Sequence, residues 1–90
     1  MIPYLAMPKK IQRAIDQKVL RLAGSGLDEM ERAEAVAEFG ERMIARFREI
    51  DPSTAADQLL GIGLSVCREL TNRLAMAEAA RPGTPSAKPS

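Results

Sequence analysis

Small residues in this chain stand in mirror order about Asp51-Pro52. Gly40 lies eleven residues before Asp51, and Gly61 and Gly63 lie nine and eleven residues after Pro52. Glycine inside a helix is unfavourable by roughly 0.5–1 kcal/mol relative to alanine, so three of them in otherwise helix-forming runs call for a compensating contact. Close approach of two backbones supplies one. If the flanking segments are antiparallel helices, Gly40 meets Gly63 at one level. The same layering pairs Ile44 with Leu59, Val36 with Cys67, Ala33 with Leu70 and Met30 with Leu74, because residues three and four apart share a helix face. The spacing predicts a long helical hairpin. The competing expectation is that Gly61-Ile62-Gly63 kinks or breaks the third helix.

The remaining segments follow from local signals. Met1 to Met7 is a short apolar arm, interrupted by Pro3, closed by Pro8, and predicted to be an extended lead-in. Pro8 suits a first helical turn, and Ile11, Ile15, Val19 and Leu22 recur at helical spacing, giving helix one over about 8–23, ended by Gly24-Ser25-Gly26. Asp28, Glu29 and Glu31 put negative charge at the start of helix two, about 27–50. Its stripe of Met30, Ala33, Ala37, Gly40, Ile44 and Phe47 is widened by Val36, Phe39, Met43 and Ile50, an arc broad enough to need two neighbours. Asp51-Pro52-Ser53 stops that helix and offers a new N-cap for helix three, about 53–80, with a seam of Leu60, Gly63, Cys67, Leu70, Leu74 and Ala77, flanked by Leu59, Ile62 and Val66. Residues 82–90 hold three prolines and no large apolar side chain, so they read as a disordered tail beyond a single helical domain over 8–81.

Several chemistries lack their residue types. The chain has no His, no Trp and one Cys, which removes a disulfide within the chain, a structural zinc site and the commonest general base. Cys67 sits on the apolar stripe of helix three and reads as a buried, inert thiol. Ser25, Ser53 and Ser65 have no His partner, and the Glu-x-x-His motifs of a carboxylate di-metal site cannot be built. Gly24-Ser25-Gly26 lacks the strand and Lys-Ser/Thr context of a phosphate loop. Glu31, Glu34, Glu38 and Glu41, interleaved with Arg42, Arg46 and Arg48, read as a solvated face of helix two with Glu38 and Arg42 as an i,i+4 pair. No enzyme, cofactor or metal is expected. No apolar run approaches the length of a spanning helix, and the arm lacks the basic start and apolar stretch of a signal peptide, so a cytoplasmic protein without a membrane span is expected. Nine Arg against four Lys, with many alanines, hint at a bacterial or phage origin.

Charge is divided along the chain. Residues 1–23 carry five cations against Asp16, a net +4, whereas residues 24–57 carry nine acids against four arginines, a net −5. Helix one is therefore a basic amphipathic helix with Lys10, Arg13, Gln17 and Arg21 along one side. Such a row can meet an acidic protein surface, nucleic-acid phosphates or anionic lipid, or stay solvated and partly neutralised by helix two. The near-neutral total and the absence of exposed aromatics for base stacking count against nucleic acid.

These signals predict an all-α fold: a short basic N-terminal helix packed on a long antiparallel helical hairpin, assembled as a dimeric bundle. A chain of 90 residues buries only about 60–65% of its unfolded surface, which favours a homodimer. The expected function is non-enzymatic protein–protein interaction, as a small regulator, adaptor, chaperone or inhibitor, and the alternative is nucleic-acid binding through the basic face of helix one. Candidate partner-binding residues are Lys10, Arg13 and Arg21 on that face, Phe39 and Met43 on the broad arc, and Tyr4 on the arm.

Overall fold

The computed structural model describes residues 2–80, in which helices α1 (Lys9–Leu22), α2 (Glu29–Ile50) and α3 (Ala56–Ala79) pack against one another. The tail expected at 82–90 and the end of the domain at residue 81 lie outside the described residues. Each connection has a local cause. After α1, Gly24 and Gly26 take positive φ values of 80° and 81°, open to glycine without strain, and Ser25 N–H and Oγ donate to the Leu22 carbonyl at 3.1 and 2.7 Å. α2 begins with a reciprocal capping box: Glu31 N–H donates to Asp28 Oδ1 at 2.8 Å and Asp28 N–H donates to Glu31 Oε1 at 3.0 Å.

The third start differs from expectation. Ser53 does not cap α3; its N–H and hydroxyl donate to Asp51 Oδ1 at 3.2 and 2.6 Å, and Thr54 N–H donates to the Asp51 carbonyl at 3.2 Å. Asp51 thus spends its side chain closing a turn around Pro52, and these bonds hold its carboxyl below the usual Asp range. α3 then starts at Ala56, after an Ala55 N-cap that offers no side-chain bond.

The core joins Ile11 and Ile15 of α1, Val36, Phe39 and Met43 of α2, and Ile62, Val66, Leu70 and Leu74 of α3, closed at one end by Met7. Along α2 and α3, Arg32 Nη2 reaches Glu78 Oε2 at 2.8 Å, Cys67 Sγ lies 3.5 Å from the Val36 carbonyl, and Gly40 packs against Cys67 and the Gly63 carbonyl. A Cβ on Gly63 would fall 2.8 Å from Ile44 Cγ1. Gly40 and Gly63 therefore occupy a crowded level with no room for a larger side chain. Gly61 does not share it, since nothing lies within 4 Å of where its Cβ would stand. α3 runs unbroken through both glycines, as the expected helix does, and the competing break is absent.

The apolar arcs are rotated from the expected seams. On α2 the buried positions are Val36, Phe39, Gly40 and Met43, while Ala33 and Ala37 are exposed and Met30 is 72% exposed, which removes the Met30–Leu74 pairing. On α3 Leu59 is buried and Leu60 is 61% exposed. The cause is α1: both long helices turn part of their arcs toward it, so their burial is shared between two neighbours rather than centred on one seam.

The arm is not an extended lead-in. Tyr4–Ala6 form a 3-10 turn, Met7 is buried, and the two buried polar side chains of the core both hold this segment. Gln12 Nε2 donates to the Met7 carbonyl at 2.8 Å, and Ser65 Oγ accepts from Ile2 N–H at 3.0 Å. Their placement satisfies backbone groups that the irregular arm would otherwise bury unpaired.

Candidate functional site

The candidate site is a groove of about 370 Å³ between α1 and α2. Ala14, Gln17, Lys18 and Arg21 line it from α1, and Phe39, Arg42, Met43, Ala45 and Arg46 from α2. Helical spacing explains the α1 wall, because Lys10, Ala14, Gln17, Lys18 and Arg21 recur at intervals that keep them on one side. Four cations face the groove and no carboxylate does. Phe39 and Met43 form its floor with two alanines, and Lys18 Nζ stands 6.0 Å from the centroid of the Phe39 ring, at the outer edge of a cation–π contact. Arg46 also lines an adjoining depression with Lys10, Glu49 and Ile50, so the cationic wall continues toward the end of α2.

Among the described residues the ion pairs are Arg32 with Glu78 and Arg73 with Asp16 and Glu69, and none uses a groove cation. The expected Glu38–Arg42 pair is not formed; Arg42 turns to the groove instead. Neutralisation of the basic helix by the acids of α2 is likewise absent from these contacts.

The candidates named from sequence separate into three groups. Lys10 and Arg21 are exposed on the groove side of α1, whereas Arg13 is exposed but lines neither groove nor depression. Lys18 takes its place in the row. Phe39 and Met43 are each 5% exposed and belong to the core of the chain itself, a correction to their expected exposure: α1 and α3 are the two neighbours that the broad arc needs. Tyr4 is also committed within the chain. Its hydroxyl donates to Asp16 Oδ1 at 2.8 Å and its ring lies under the Arg73 guanidinium, 3.9 Å from Cζ to the centroid. Partial burial and the Asp16 bond both raise the phenol above its ordinary pKa, while the Glu69 bond holds Arg73 all the more firmly protonated.

Arg42 and Arg46 were missed as groove residues because their sequence neighbours are glutamates, and an alternating pattern reads as a self-neutralised face. The available signal was their position on α2, which falls on the α1 side of Phe39 and Met43 once the two helices are packed.

Two other places have chemistry-bearing groups. Cys67 is half-buried, and desolvation, with Glu41 nearby, raises its thiol pKa, which suits the inert role expected of it. A depression of about 480 Å³ between the arm and the α2–α3 connection is lined by Ile2, Phe47, Asp51 and Asp57 among others, but Asp51 is already engaged in the turn. No helix among the described residues is long and apolar enough to cross a membrane. No family model matches the chain, and no curated protein or solved structure matches it.

Proposed function

We propose that this chain is a non-enzymatic protein-binding module, a small regulator, adaptor, chaperone or inhibitor, in which α1 lies across an antiparallel hairpin of α2 and α3 and the α1–α2 groove receives the partner. The observation that carries this is the groove itself: cations on both walls, no carboxylate in the lining, and an apolar floor. Solvated charges on a helix surface ordinarily alternate in sign and pair at i,i+4. Here the positive side chains of two helices converge, at a cost in mutual repulsion that an anionic partner would relieve.

Nucleic acid is the less favoured occupant. Arg13 stands apart from the row, and no aromatic ring is free for stacking: Phe39 is buried, Phe47 is half-buried against the core, and Tyr4 lies under Arg73. A photo-crosslinking residue placed at Gln17 on the groove wall, with Thr71 on α3 as the control position, tests the proposal in the host cell. The expected result is a crosslinked polypeptide from position 17 that is missing from position 71 and is lost with Arg42→Glu. Nuclease-sensitive crosslinks, or equal capture from both positions, would overturn it.

A further inference from the structure

The groove has a length and a cross-section as well as a charge. From Ala14 to Arg21 the α1 wall spans seven residues, about 10 Å at 1.5 Å per residue, or two helical turns. Ala14 and Ala45 flank Phe39 and Met43, each only 5% exposed, so the floor is a narrow apolar strip between the cations. Cations stand on both sides of that floor: Lys18 and Arg21 on α1, Arg42 and Arg46 on α2. An uncharged apolar ridge laid here would desolvate them unpaired, and a phosphate backbone would pair them while leaving the floor against charged oxygens. An α-helix with an apolar ridge and acidic residues on both flanks satisfies both features, since its i, i+3, i+4 and i+7 positions present one stripe to the floor and their neighbours to the walls.

We infer that the α1–α2 groove binds a single acidic amphipathic helix of a partner protein, an inference that rests on the chain being a protein-binding module. Such a complex forms quickly at low salt and weakens as screening grows, because the cations that steer it are exposed.

The test uses the full chain and synthetic helical peptides of about fourteen residues, nearly four turns. One carries a leucine ridge flanked by Glu, the second the same ridge flanked by Gln, and the third probe is a duplex oligonucleotide, each read by fluorescence anisotropy. The expected result is that the Glu peptide binds more tightly than the other two. Binding should fall at least about tenfold in the triple variant Arg21→Gln, Arg42→Gln, Arg46→Gln, and by a similar factor from about 50 to 500 mM salt. The charge-preserving Arg42→Lys, Arg46→Lys variant should retain most of the binding, and circular dichroism of each variant shows whether loss of binding reflects loss of the fold. Equal binding of the Glu and Gln peptides, or wild-type affinity in a folded triple variant, overturns the inference. Tighter binding of the duplex, lost in the same variant, makes the groove a nucleic-acid site. Self-association of the wild type that disappears in the triple variant makes a second copy the occupant and also overturns the inference. If no peptide binds while the Gln17 crosslink still captures a polypeptide, the acidic-helix inference fails and the protein-binding proposal stands.

Discussion

On the α3 side of α1, Asp16 Oδ1 accepts from the Tyr4 hydroxyl at 2.8 Å and from Arg73 Nη1 at 3.4 Å, Arg73 Nε donates to Glu69 at 2.7 Å, and its guanidinium covers the Tyr4 ring. On the α2 side, Lys18, Arg21, Arg42 and Arg46 face one groove with no carboxylate between them. One side spends its charges on holding the arm to the bundle. The other leaves them outward and unpaired among the described residues, over a floor that is itself core. Charge that is used internally reports on stability, whereas charge gathered without counter-charge points to what lies outside the chain.

The strongest way to break this contrast is through the floor. If Phe39 is core first and groove second, Phe39→Ala should cost about 3–5 kcal/mol of folding stability, measured by urea denaturation. A loss under about 1 kcal/mol would mean that the ring is a surface contact after all, as its place on the broad arc of α2 first suggests.

The proposed hairpin holds α2 in place beside α1, and its crowded level can be tested next. Gly40→Leu should cost at least about 1–3 kcal/mol by overpacking against Cys67 and the Gly63 carbonyl. Gly61→Ala, with open space around it, should instead stabilise by about 0.5–1 kcal/mol, since only the helix penalty of glycine is removed. Equal responses at the two positions would show that no close approach distinguishes them.

On the paired side the expected effect is smaller and depends on pH. Tyr4→Phe keeps the stack under Arg73 and removes the bond to Asp16, for about 0.5–1 kcal/mol at neutral pH. The folded state holds the phenol proton more tightly than the unfolded chain, so the Tyr4 contribution is whole below the unfolded pKa and is lost as pH rises through the raised folded value. Denaturation at pH 7 and at about pH 10.5 should therefore show the wild type losing more stability than Tyr4→Phe over that interval. Parallel losses would mean that Tyr4 is not titrated differently by folding.

What could be read in the sequence was local or periodic. The all-helical class, the three segments to within about three residues, the glycine end of α1 and the nearness of Gly40 to Gly63 and of Val36 to Cys67 all follow from spacing and turn chemistry. The Asp28–Glu31 box was visible as Asp-x-x-Glu, yet its charges were read only for their effect on the helix dipole. What could not be read was which neighbour each part of a broad arc would choose. Phe39 and Met43 look bare until α1 is laid over them, and Arg42 and Arg46 look neutralised by Glu38 and Glu41 until α2 is rotated to meet α1. The arm hid its role for a similar reason: its anchors, Gln12 and Ser65, are polar residues whose partners are backbone groups far away in sequence.

The central claim is that the cations of the α1–α2 groove do not serve the fold, and it is tested most directly by comparing two neutralisations in one urea series at low salt. Arg73→Gln removes a cation–π contact and two ion pairs and should lower stability by about 1–2 kcal/mol. The triple variant Arg21→Gln, Arg42→Gln, Arg46→Gln should stay within about 0.5 kcal/mol of wild type or become slightly more stable, because like charges are removed and no pair is broken. A triple variant destabilised as much as Arg73→Gln would contradict the account, since its cations would then be structural and the groove would have no claim to be a binding surface.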